Sequence, residues 1–168
     1  MTIRIFLACF LIALPASWAA ANDAEDNHRF ITSKIAEYIA TSKQCRDHAL
    51  ERKPPNAETI KTLSRFKSDD VARFAMIRSV LMQQRCEQSE LNELAYAIVV
   101  LENTALAAET VEAISAIKVL AFDIQIRRFQ RQYENLPRDL RASLESLDYF
   151  NEPFDNVALR RHLSDSGL

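Results

Sequence analysis

SDDVARFAMIRSVLM, residues 68–82, opens with Ser68 and two acids. It then places Val71, Phe74, Ala75, Arg78, Leu81 and Met82 at three- and four-residue steps. A small hydroxyl residue followed by carboxylates is a helix start signal. The apolar spacing that follows is the 3.6-residue period of one helix face. Nothing in the stretch alternates as a half-buried strand does. Outward from it the same pattern recurs. The only glycine is Gly167, and four of the five prolines, Pro54, Pro55, Pro137 and Pro153, fall between periodic segments. Alanine, leucine, glutamate, glutamine and arginine, all good helix formers, are abundant. A sheet protein of this size would need several glycine turns. The fold class expected is therefore all-α: a single-domain helical bundle of about six to seven helices with one disulfide.

The helices are expected as follows. The first runs from about Asp26 to Ser42, with Phe30, Ile31, Ile35, Tyr38 and Ile39 as its stripe. A polar loop from Lys43 to Asn56 follows and carries Cys45. Asn56 caps a short second helix to Phe66, with Ile60, Leu63 and Phe66 inward. The third runs from Ser68 to about Cys86. Ser89 caps a fourth to about Ala107, and a fifth spans about Glu109 to Asn135. Pro137 opens a sixth with Leu140, Leu144 and Leu147, and a last helix covers roughly Phe154 to Leu163.

The N-terminus reads MTIRIFLACFLIALPASWAAAND, with Arg4 the only charged side chain before Asp23. A basic start, a short apolar run and small residues at Ala19-Ala20-Ala21 form the secretory pattern, with cleavage expected before Asn22. The alternative site is Ser17-Trp18-Ala19, two residues earlier. The apolar run is shorter than the roughly 20 residues a spanning helix needs. Phe6-Leu7-Ala8-Cys9 does not read as a lipoprotein signal, because the apolar run continues past Cys9. The expected division is residues 1–21 as a cleaved signal and 22–168 as one helical domain, periplasmic or secreted.

The mature chain then holds two cysteines, Cys45 and Cys86, in an oxidising compartment. A disulfide is the expected pairing. A metal site of Cys45, His48 and Cys86 lacks an obvious fourth ligand. A redox pair usually uses neighbouring thiols in C-x-x-C, which the chain lacks. The segment Val80–Leu91, VLMQQRCEQSEL, resembles the helix-end cysteine segment of small helical pilotins, which escort secretins in bacterial export machines. It covers a dozen residues. Pilotins usually pair that cysteine with one nearer the C-terminus, and many carry a lipid anchor. Here the partner lies upstream and the lipid signal is missing, so no residue role is carried over.

Between Glu87 and Ile117 there is no lysine or arginine, but six glutamates: Glu87, Glu90, Glu93, Glu102, Glu109 and Glu112. Basic residues then outnumber acids, from Lys118 through Arg127, Arg128 and Arg131 to Arg138 and Arg141. Acids early and bases late in a helix suit its dipole, and Asp123–Arg127 and Arg141–Glu145 have ion-pair spacing. The sharper reading is an Arg127/Arg131 edge that docks an acidic partner. A formal net charge of −2 argues against nucleic acid. Leu94–Leu101, LAYAIVVL, is apolar on every helical face. It is expected to be the buried centre of the bundle; the alternative is one face left open for a partner or a second copy of the chain. Tyr149, Phe150 and Phe154 cluster around Pro153, either as a core turn or as a recognition knob.

No catalytic, phosphate-binding or haem motif appears among the residues, and Asp69-Asp70 is read as helix capping. No cofactor and no enzymatic activity are expected. The function expected is binding to another envelope or secreted protein, as an accessory or chaperone-like component of an envelope assembly. The alternatives are a periplasmic immunity or inhibitor protein and a carrier of a small apolar ligand or lipid.

Overall fold

A computed structural model describes residues 15–102, 104, 106, 108–121 and 124–165, with the side chains of 15–22 and 119–125 excepted. Its seven α-helices are α1 (Pro15–Glu51), α2 (Ala57–Leu63), α3 (Ser68–Leu101), α4 (Ala108–Ala121), α5 (Ile124–Glu134), α6 (Arg138–Glu145) and α7 (Asn156–Asp165). A 3-10 turn at Asp148–Phe150 precedes α7. No strand occurs among the described residues. The chain is all-α with one disulfide, as its composition requires.

The bounds differ from the expectation at several points: α1 starts at Pro15 rather than near Asp26 and α3 ends at Leu101 rather than near Ala107, and two further differences change the elements themselves. The polar segment after Ser42 is not a loop: α1 continues through Cys45 to Glu51. Lys43, Gln44, Arg46, Ala49, Leu50 and Glu51 are all tolerant of helix, and polarity alone does not end one. Pro54 does, because a proline disfavours α geometry in the residue before it. Likewise Ser89 caps nothing. It lies exposed inside α3, which fuses the expected third and fourth helices into 34 residues. An interior serine costs a few tenths of a kcal/mol, whereas a break would orphan four N–H and four C=O groups. The expected fifth helix is represented by α4 and α5; residues 122 and 123 between them, and so the Asp123–Arg127 pair, lie outside the described residues. So do Met1–Leu14, which hold most of the expected signal.

In the stripe of α1, Ile31, Ile35 and Tyr38 pack inward but Phe30 and Ile39 are exposed, and the N-cap of α3 is Lys67 rather than Ser68; several other local readings stand. Asn56 accepts a 2.8 Å bond from the Thr59 N–H and caps α2. Asp69 and Asp70 occupy the first turn of α3, where the dipole favours them. Pro137 stands at the N-cap of α6. A cap the sequence reading missed is Asp155, whose Oδ1 accepts from the N–H groups of Val157 and Ala158 at the start of α7.

The helix α3 is the spine, and it carries two separate apolar clusters. Its N-terminal half, with Val71, Phe74 and Ile77, packs with Leu63, Tyr133, Leu136, Leu140, Leu144, Phe150, Phe154, Leu159 and Leu163. Its C-terminal half, with Leu94, Ala97, Ile98 and Leu101, packs with Ile31 of α1 and Ile114 of α4. Between the clusters α1 and α3 meet through hydrogen bonds of Ser42, Gln83 and Glu87, on helices that also bury Cys45, Ala49 and Met82 there. The Cys45–Cys86 disulfide crosses this waist, with its Cα atoms 6.1 Å apart and Cys45 buried.

Two arginines bind the Asp148–Pro153 turn to the long helices. Arg52, just past α1, donates to the carbonyls of Asp148, Glu152 and Pro153 and lies over the Tyr149 ring at 4.9 Å. Arg78 of α3 donates to the Phe150 carbonyl at 2.8 Å and to Asn151 Oδ1. A cation in the apolar stripe of α3 is thereby explained: it satisfies turn carbonyls at the edge of the core.

Candidate functional site

Between α1 and α3, beside the disulfide, lies a solvent-open cleft of about 600 Å³. Helix periodicity builds it. Tyr38, Ser42, Arg46 and Ala49 recur at three- and four-residue steps on α1; Ser79, Val80, Gln83, Gln84, Glu87 and Leu91 do so on α3. Leu50, Ile126, Phe154, Asp155 and Asn156 complete the lining.

Its central polar group is Glu87, a carboxylate only 8% exposed. It accepts hydrogen bonds from Ser42 Oγ at 2.8 Å, Tyr38 Oη at 3.2 Å and Gln83 Nε2. Gln83 also donates to the Ser42 carbonyl, which cross-braces the two helices. All three donors are neutral. Among the described residues no lysine, arginine or histidine lies within ion-pair distance of Glu87. A buried carboxylate is costly unless its lone pairs are satisfied, and this network meets that demand through hydrogen bonds alone. Sequence reasoning placed Glu87 with the other glutamates as a surface charge. The available signal was its place directly after Cys86, where a disulfide draws two helices together.

The network also acts on Tyr38. Burial, and then the negative charge of Glu87, push its phenol up to about 12 from an ordinary value of 10.0. The neutral phenol is thus favoured by folding. Its contribution to stability is complete below about pH 10 and is lost as pH rises toward 12. Alkaline titration of the phenolate absorbance is expected to show a late-ionising tyrosine that disappears in Tyr38→Phe. A titration unchanged by that substitution would remove the assignment.

A second feature lies on the far half of α3. Leu94, Ala97, Ile98 and Leu101 face inward, but Tyr96, Val99 and Val100 are exposed at 67%, 51% and 44%. Leu94–Leu101 is therefore not buried all round: among the described residues, α1, α4 and Leu106 pack against its inner face. Tyr96, Val99 and Val100 stand at i, i+3 and i+4, one patch on the opposite face. Asn92 and Glu93 continue it toward the N-terminus and are exposed.

The remaining expected site residues are scattered. Arg127 and Arg131 are exposed on α5, while Phe129 and Tyr133 of that helix turn inward. Arg141 and Glu145 do not pair directly: Arg141 lies over the Tyr133 ring at 5.8 Å, and Glu145 accepts the Tyr133 hydroxyl. Phe150 and Phe154 are buried at 0% and 4%, and Tyr149 is half-buried against both. These rings form the core turn rather than a protruding knob. His28 Nδ1 lies 3.0 Å from the hydroxyl of Thr110, which is buried; His48 is exposed. Among the described residues no three histidine, cysteine, aspartate or glutamate side chains gather as a metal would require, and no helix is long and apolar enough to cross a membrane.

No family model, no curated protein and no solved structure matches this chain.

Proposed function

We propose that this chain is an exported, disulfide-braced helical module that acts by binding another protein through the exposed face of α3. The observation that carries this reading is the apolar patch Tyr96, Val99 and Val100, set opposite the buried stripe of the same helix. Apolar side chains that share one face and stay in water favour an interface. The aromatic anchor at Tyr96 suits one.

The surroundings of the patch favour a basic partner. From Glu87 to Ile117 the chain has no cation. Glu93, Glu102, Glu109 and Glu112 are exposed there and Glu90 is partly so. The nearby cations Lys34 and Lys118 are already paired, Lys34 with Glu37 and Glu93 and Lys118 with Glu102. The complementary ligand is a protein segment with apolar side chains flanked by lysine or arginine. The N-terminal pattern around Arg4 and Ala19-Ala20-Ala21 supports placing the encounter outside the cytoplasm.

The test is a photo-cross-linking residue placed at Tyr96 in cells, with one at exposed Arg73 as control. The expected result is an adduct to one basic envelope protein from position 96, absent from position 73 and abolished by Val100→Lys. A self-adduct would make the occupant a second copy of the chain. Equal labelling from both positions, or none, would overturn the reading.

A further inference from the structure

We propose that the cleft between α1 and α3 is a binding site for an alkylammonium group, a cationic nitrogen on an apolar stem. The site is distinct from the exposed α3 face and stands on different observations. The first is Glu87. Its carboxylate is 8% exposed, accepts three bonds from neutral donors, and has no cation within ion-pair distance among the described residues. The second is Asn156 at the start of α7, whose side-chain Oδ1 is buried without a donor. Both residues line the same cleft. A buried polar atom with no partner calls for a physical account.

What the two groups lack differs: the lone pairs of Glu87 are hydrogen-bonded and only its charge is unmatched. Glu87 offers a charge without a counter-charge, and Asn156 offers an acceptor without a donor. An ammonium carries three N–H donors and one positive charge. An anion would meet Glu87 and Asp155 in the lining and be repelled. A neutral hydroxyl could donate but would leave the charge of Glu87 unmatched. Leu50, Val80, Leu91, Ile126 and Phe154 supply apolar surface for a stem. The volume lies within the range of small-ligand sites, roughly 300–1,000 Å³. Arg46 also lines the cleft, but it is exposed and makes no ion pair with any described carboxylate.

An alkylammonium is offered by a free amine or by a lysine side chain of another protein, and the probes separate the two. Oxidised full-length mature protein is titrated calorimetrically with n-hexylamine, with n-hexanol, and with N-acetyl-lysine methylamide. Saturable binding of n-hexylamine is expected, at least about tenfold tighter than n-hexanol, the difference of one charge-assisted hydrogen bond. Tighter binding of n-hexylamine than of the lysine probe assigns the site to free amines; the reverse assigns it to lysine side chains. Glu87→Gln, which keeps the shape and removes the charge, should lose about tenfold in affinity. Gln84→Arg lines the cleft with its own guanidinium one helical turn from Glu87. It should abolish binding on an intact helix, so the idea stays testable if Glu87→Gln folds poorly. Equal affinity for hexanol and hexylamine, unchanged affinity in Gln84→Arg, or no saturable binding would overturn the proposal, whichever group then neutralises Glu87.

Discussion

Phe150→Ala is expected to lower the unfolding free energy by about 3–5 kcal/mol, the range for deleting a fully buried aromatic side chain. Phe150 is 0% exposed. Its ring meets Phe74 edge-on at 5.2 Å, Phe154 at 5.3 Å and Tyr149 at 5.2 Å, so it is the hub of the aromatic group that joins the 3-10 turn to α3. Edge-to-face pairs of this kind add to the area term, by about 0.5–1.5 kcal/mol each. The site cannot collapse easily, because Arg52 and Arg78 hold the turn by its carbonyls on both sides. Urea unfolding measures the effect as a lower midpoint at unchanged slope. A loss below about 1 kcal/mol, at the level of a surface substitution, would return Phe150 to the role of an exposed recognition group. Val157→Ala is the useful contrast: Val157 is nearby in sequence but 64% exposed.

The reading of that turn shows how far the sequence carries. Periodicity identified Val71, Phe74 and Ala75 as inward, and Leu140 and Leu144 as the buried pair of α6, because a helix face is a local property of spacing. Proline and asparagine marked the α1–α2 and α5–α6 junctions for an equally local reason. Polarity misled at Lys43–Glu51 and at Ser89. It reports contact with water, and a helix with one wet face tolerates it. Tertiary partners were not legible. Arg78 stood in an apolar stripe, an anomaly whose resolution required the Phe150 carbonyl, 72 residues away. Glu87 looked like one of six glutamates until α1 brought Tyr38 and Ser42 to it. The exposure of Tyr96, Val99 and Val100 is a matter of how many helices surround α3. An apolar run by itself does not encode that number.

The disulfide carries the second large effect. Cys45→Ala/Cys86→Ala is expected to cost about 4 kcal/mol, the chain-entropy value for closing a loop of this length, the separation being 41 residues. Alanine is the right replacement, since Cys45 is 2% exposed and serine would bury an unpaired hydroxyl. Against a usual domain stability of about 5–15 kcal/mol, the loss leaves little margin. Its location makes it specific. Away from the waist, α1 and α3 are held by Ile31, Ile35 and Tyr38 packing on Leu94 and Ile98. At the waist they meet through Ser42, Gln83 and Glu87, hydrogen bonds whose net worth is about 1 kcal/mol each. Without the bridge, these hydrogen bonds and the smaller buried residues Ala49 and Met82, outside both main clusters, must hold the waist. Hydrogen exchange should therefore accelerate first at residues 42–49 and 79–87, before the amides around Phe74 or Ile98 respond. A double variant within about 1 kcal/mol of the parent, or uniform acceleration along α3, would mean that the waist holds without its staple. If the waist does loosen first, the cleft that contains Glu87 loosens with it, and alkylammonium binding should weaken in the double variant even under conditions where the variant remains folded.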